Sequence, residues 1–168
     1  MASDPLYTLG NLAGSRLKER GARLVCAESC TGGWIAQVVT SVAGSSEWFE
    51  RGFVTYSNEA KQEMIGVRSE TIARHGAVSE ETAREMALGA LAASHGTIAV
   101  SVTGVAGPSG GTPAKPVGMV CFAWADQSGK LKSETRHFTG DREKVRRQSA
   151  MRALQGVVEW LDAGAGEV

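Results

Sequence analysis

The sequence predicts a single α/β domain, a three-layer α/β/α sandwich built on a largely parallel but mixed sheet. Three observations carry that expectation. Short apolar runs rich in β-branched residues alternate with longer segments of helical periodicity, the pattern of strands buried between helices. Glycines cluster where those apolar runs end, at Gly32–Gly33 and between Gly104 and Gly118. A chain of 168 residues, 42% hydrophobic and 21% charged, suits one substantial core, and neither an internal repeat nor a dividing linker interrupts it.

Leu6, Leu9, Leu12, Ala13 and Leu17 recur at helical spacing, so a helix is expected over about 6–20, ending at Gly21. The apolar run "RLVCA" (23–27) suits a buried strand. A second helix is expected over about 32–41, and "AGSSEWFE" reads as a loop with one helical turn. "GFVTY" (52–56) has the composition of a strand, and residues 58–66 look helical. Ser79 is placed to cap a long helix whose apolar face is Ala83, Met86, Ala87, Ala90 and Leu91. "TIAVSVTG" (97–104) is the third strand and opens into a Gly/Pro loop. "MVCFAWA" (119–125) and "KSETRHF" (132–138) suit adjacent strands, the second alternating and so nearer an edge. Gly140 precedes a final helix to about Leu161, and "AGAGEV" reads as a frayed end. The domain is therefore expected over 5–162, with a flexible tail over 163–168.

Charge and cysteine usage exclude several function classes. Eighteen basic side chains balance eighteen acidic ones, so no global field points to nucleic acid or a membrane surface. Cys26, Cys30 and Cys121 form neither a disulfide framework nor a zinc pattern, and reduced thiols are expected. No window approaches the ~18 apolar residues of a membrane span, and no secretory signal is present, so a soluble cytoplasmic protein is expected. The three histidines are scattered, and the glycines fit neither a dinucleotide fingerprint nor a P-loop. Neither metal nor cofactor is expected.

Ligands of such sheets bind beyond the carboxyl ends of the strands, where segments 28–33, 55–61 and 101–118 should lie. In "AESCTGGW" (27–34), Glu28, Ser29 and Thr31 either cap the following helix or face a ligand, with Gly32 and Gly33 offering backbone N–H groups to an anion. Cys30 is either a nucleophile or a buried structural thiol. Ser45 and Ser46 either cap the turn "EWFE" or take part in chemistry. Lys61 shares a helical face with Ile65; drawn into an apolar surface, a lysine loses charge stabilisation and becomes a base. The alternative is a snorkelling surface lysine. Residues 141–152 carry five basic side chains against Asp141 and Glu143, a local net of +3. Arg142 sits in the first turn, where the helix dipole disfavours a cation. Arg147 shares the apolar face of Met151, Leu154, Val158 and Leu161, and so needs a core carboxylate or a ligand phosphate as partner.

Taken in order, "AESCTGGW", "AGSSEWFERGFVTYSNEAK", "HGAVS", "VSVTGVAGPSGG", "KPVG" and "FTGDREKVRRQ" resemble the competence-damage-inducible protein C-terminal domain family. Within it they are most similar to the stand-alone bacterial members that deamidate nicotinamide mononucleotide. The match covers about residues 5–162, leaving no room for the N-terminal domain of longer relatives. The resemblance implies an α/β/α fold and hydrolysis of the nicotinamide mononucleotide carboxamide to nicotinate mononucleotide and ammonia, a salvage step toward NAD. It further implies a metal-independent serine–lysine hydrolase without cofactor, acting as a homodimer or higher homo-oligomer. Lys61 then matches the base and Tyr56 the hydroxyl beside it. The nucleophile is placed at Ser46, with Ser29 as the alternative. Thr103 stands where some relatives have serine. Substrate contacts are expected from Glu28, Thr31, Gly32, Gly33, Thr103, Gly104 and Gly107, with Arg142 and Arg147 on the phosphate. The competing readings are a noncatalytic nucleotide-binding module on the same fold and an amidase of another pyridine or ribosyl phosphate.

Overall fold

The computed structural model describes residues 4–165. Its strands are β1 (Leu24–Glu28), β2 (Phe49–Val54), β3 (Ile98–Gly104), β4 (Met119–Asp126) and β5 (Leu131–His137). Its helices are α1 (Pro5–Glu19), α2 (Trp34–Thr40), α3 (Asn58–Ile65), α4 (Ser69–His75), α5 (Glu80–Ala92) and α6 (Arg142–Ala165).

The strands form one sheet in the order β2-β1-β3-β4-β5. β1 runs parallel to both β2 and β3, whereas β4 is antiparallel to β3 and to β5. Half of the pairings are thus antiparallel, more than one edge strand's worth. The cause is local: only residues 127–130 join β4 to β5, too few for the crossover that a parallel pair requires. Alternation along the strands feeds two cores. Leu24, Cys26, Val100, Phe122 and Trp124 pack with α1, α2 and α6 on one face. Val25, Ala27, Ala99, Cys121 and Ala123 pack with α3 and α5 on the other. The second face is lined by small side chains, so helices approach closely. At Gly89 of α5 a Cβ would stand 1.8 Å from the Ile65 carbonyl oxygen, which means that α3 rests on α5 backbone against backbone.

Three boundaries differ from expectation. β2 begins at Phe49, which pairs with Leu24, and ends at Val54, so Thr55 and Tyr56 have left the ladder and lead into α3. α4 was not expected: its seven residues bury only Thr71 and leave no apolar stripe to read. α6 continues through Ala165, so 163–165 are helical rather than a loose end. Residues 166–168 of the expected tail lie outside the described residues. Among the described residues no helix is long and apolar enough to cross a membrane.

Candidate active site

Two connections leave the parallel half of the sheet side by side. The chain after β1 stays in register, with Ser29 N–H donating to the Val102 carbonyl at 3.0 Å, and the chain after β2 does likewise, Thr55 N–H donating to the Glu28 carbonyl at 2.8 Å. Ser57 then caps α3 by accepting the Ala60 N–H at 3.0 Å. That early turn folds Lys61 back over the segment it came from. Its Nζ lies 2.9 Å from Ser29 Oγ, 2.8 Å from the Thr55 carbonyl and 3.2 Å from that of Tyr56. Lys61 is 1% exposed and Ser29 8%. Burial, with no carboxylate bonded to the amine, lowers the Lys61 pKa to about 8, partly opposed by the neighbouring Cys30. A neutral amine has two N–H groups and one lone pair. As an ammonium Lys61 donates to all three oxygens, while the Ser29 hydroxyl donates to the Tyr56 carbonyl at 3.4 Å. Once neutral, the amine can keep its two N–H groups on the carbonyls and offer its lone pair to the Ser29 hydroxyl. The arrangement is that of a base beside a nucleophile.

Of the two parts open to Glu28, the structure shows the capping one. Its carboxylate, 1% exposed, accepts the N–H groups of Ile35 at 2.9 Å and Ala36 at 3.0 Å and the Thr31 hydroxyl at 2.7 Å. Gly33, at φ +105°, ends the turn and has no side chain to cap α2, so Glu28 supplies the cap from the preceding strand. The α2 N-terminus is therefore satisfied internally and does not face an anion. Glu28 and Thr31, both buried, frame the turn through these bonds.

A cavity of about 220 Å³ opens beside the Ser29–Lys61 pair, lined in part by Tyr56, Thr103, Gly104, Ala106 and Arg142. Thr103 Oγ1 donates to the Ala77 carbonyl at 2.9 Å and keeps its lone pairs for another group. Arg142 donates to the Gly107 carbonyl at 2.7 Å and to the Tyr56 hydroxyl at 3.3 Å, both neutral partners, so its charge is not cancelled. Tyr56 thus contacts Lys61 through its carbonyl, while its hydroxyl serves Arg142. Gly107 contributes a carbonyl that braces the arginine. Gly32 and Gly33 line an adjoining open groove together with Arg142.

Two expected residues lie elsewhere. Ser46 is exposed in the single helical turn 45–47 before β2, whose Glu47 pairs with Lys18 at 3.1 Å. Roughly 20 Å of strand separates that end of β2 from the end that leads to Lys61. Arg147 does not enter the core: it is half-exposed and bound to Asp4, the half-buried cap of α1, so its partner is a carboxylate at the surface. Conversely, Arg146 was not singled out, yet it reaches the 29–33 turn. Its spacing of four from Arg142 along one helix was the available signal. Asn58 and Val78 also line the cavity, and nothing in their residue types announced it. Cys30 lines it too, but burial first, with the Glu28 charge adding to it, pushes its thiol up to about 12, so it is no nucleophile. Among the described residues no group of three or more histidines, cysteines and carboxylates could hold a metal.

The nicotinamide-nucleotide amidohydrolase PncC of Escherichia coli (strain K12) is 57% identical over 155 residues, 92% of this chain and 94% of that protein. The PncC protein of Pseudomonas putida is 51% identical over 156 residues, covering 93% of this chain and 97% of its own. Among solved structures, the competence/damage inducible protein CihA from Agrobacterium tumefaciens superposes with a TM-score of 0.91 at 41% identity, covering 95% of this chain and 96% of that one. With the model of the CinA C-terminal domain matching residues 7–161, this chain belongs to the CinA C-terminal domain family.

Proposed function

We propose that the chain hydrolyses the carboxamide of nicotinamide mononucleotide to nicotinate mononucleotide and ammonia, with Ser29 as nucleophile and Lys61 as base. The names of its full-length relatives support the substrate. One observation carries the mechanism: a buried lysine held 2.9 Å from a serine hydroxyl by two backbone carbonyls. Neutral Lys61 takes the Ser29 proton as Oγ bonds to the carboxamide carbon. The N–H of Cys30, which donates to no backbone carbonyl among the described residues, serves as the donor to the oxyanion that forms. Lys61 then gives its proton to the amide nitrogen, the C–N bond breaks and ammonia leaves. Water, deprotonated by Lys61, splits the ester on Ser29 and restores the hydroxyl. Thr103, its proton committed to Ala77, accepts from the carboxamide NH₂ and has no donor for a carboxylate product, so it favours substrate over product. Arg142 at the cavity mouth takes the phosphate. The amidohydrolase unit spans 5–162.

Ammonia release from nicotinamide, its riboside, its mononucleotide and NAD tests this directly. The mononucleotide should be preferred, and silence on all four would leave a binding module. Within that assay Ser29→Ala should lose at least about a thousandfold in kcat, as expected when a nucleophile is removed. Ser46→Ala should stay within about twofold of wild type, a surface change away from the chemistry. The reverse pattern would move the nucleophile to Ser46.

A further inference from the structure

The turn that follows Ser29 is gripped from outside the cavity by a single side chain. Arg146 lies on α6, one helical turn beyond Arg142. Its Nε donates to the Cys30 carbonyl and its Nη2 to the Thr31 carbonyl, each at 3.1 Å. Its guanidinium lies 5.3 Å from the centre of the Trp34 ring, which closes the same turn at the start of α2. A planar fork on two successive carbonyls fixes both peptide planes at once, as a lysine's point charge cannot. In a trans peptide the C=O and the following N–H point in opposite directions. Drawing these two carbonyls toward α6 therefore turns the N–H groups of Thr31 and Gly32 to the other side. The Gly32 N–H donates to the Ser29 carbonyl at 3.0 Å, and that carbonyl shares its peptide plane with the Cys30 N–H, so the fork holds the Cys30 N–H through Gly32. The interaction closes a ring of contacts running through Ser29, Cys30 and Gly32.

We infer that Arg146 is a positioning residue for the reaction: it locks the 29–33 turn so that the Ser29 hydroxyl and the Cys30 N–H face the cavity together. This rests on the reading of Ser29 as nucleophile. A simple structural tie would lie anywhere on the turn. This one binds the carbonyls of the two residues directly after the reacting serine. Loss of the fork leaves the serine and lysine in place but frees the turn to rotate, which costs alignment in the transition state more than affinity for substrate.

The test compares wild type, Arg146→Ala and Arg146→Lys. For turnover of the mononucleotide, Arg146→Ala should lower kcat about 30- to 100-fold while KM changes less than about threefold, the mark of an interaction made in the transition state. Arg146→Lys should recover only part of that loss, and millimolar guanidinium added to Arg146→Ala should recover part as well. A second readout does not depend on the natural substrate. A fluorophosphonate labels Ser29 when Oγ bonds to phosphorus, fluoride leaves and the hydroxyl proton passes to Lys61. Its developing oxyanion needs the same N–H. Labelling, followed by mass spectrometry of the Ser29 peptide, should slow about as much as kcat falls. The inference is overturned if kcat and labelling of a folded Arg146→Ala protein match wild type. It is equally overturned if KM alone rises, since Arg146 would then bind substrate. Failure of the assigned substrate looks different: wild type releases no ammonia, yet Ser29 labelling still depends on Arg146.

Discussion

Lys61 shows how one buried side chain can link function to pH. Its amine meets only a hydroxyl and two carbonyls, so burial sets its pKa near 8, against about 10.4 in a free chain. The base must be neutral to accept the Ser29 proton, so kcat should climb as pH rises through about 8 and then level. Lys61→Arg should be inactive at every pH, because a guanidinium does not deprotonate. Stability moves in the same direction. Between the folded and unfolded pKa values the unfolded chain holds more protons, so stability rises with pH across that window. Below it both states are charged, and the full cost of burying the ammonium, on the order of 3 kcal/mol, is present. Thermal unfolding of wild type and Lys61→Met at about pH 7 and about pH 10 should therefore shift in favour of wild type at the higher pH. A flat kcat profile across that window, or an opposite trend in unfolding, would remove Lys61 from the role of base.

At the scale of elements, the site depends on how closely α3 can approach α5. Gly89 has no side chain, and the Ile65 carbonyl occupies the space where a Cβ would be, 1.8 Å away. Ile65 lies one turn beyond Lys61, so the contact that seats α3 also sets the height of the amine. Gly89→Ala must push α3 outward. The change should cost about 1–3 kcal/mol of stability, the usual cost of overpacking. It should also lower kcat more than tenfold, since a shift near 1 Å in a catalytic group has effects of that order. Normal turnover with lowered stability would show that α3 and Lys61 move independently. That contact is the kind of fact the sequence did not disclose. Periodicity revealed the helices and buried strands, because 3.6- and 2-residue repeats reflect burial directly. The same reasoning placed segments 28–33 and 55–61 together at the strand ends. It did not say which serine Lys61 would meet, because that choice depends on register: Ser29 follows β1 at the end of the sheet where β2 releases the chain to α3, and Ser46 precedes β2 at the opposite end. Glu28 stayed open between two parts for a related reason. A carboxylate before a glycine turn can serve a ligand or a helix, and only the position of α2 decides between them.

Across the whole molecule the charges sum to zero, yet the cavity mouth is positive. Most of the other arginines in ion pairs are neutralised in place: Arg152 lies between Glu134 and Glu159, and Arg147 is paired with Asp4. Arg142 and Arg146 differ in that their hydrogen-bond partners are carbonyls and a hydroxyl, which leave the positive charge standing beside the cavity. With no net charge to act at a distance, and screening over about 10 Å in dilute salt, attraction of an anionic substrate must come from charge at the mouth itself, which is Arg142. Arg142, at the mouth itself, should bind the phosphate, and a charge-assisted contact is worth roughly 1.5–3 kcal/mol. Arg142→Ala should therefore raise KM for the mononucleotide about 10- to 100-fold. Because Arg142 also braces Gly107 and Tyr56, its removal could disturb the cavity without any effect through charge. The riboside separates the two effects, since it has the same ring and sugar but no phosphate. Its KM and kcat should change by less than about threefold in Arg142→Ala, and added salt should weaken mononucleotide binding in wild type more than in the variant. If riboside and mononucleotide suffer alike, Arg142 is a brace for the loops, and the phosphate must find its partner on other groups around the cavity.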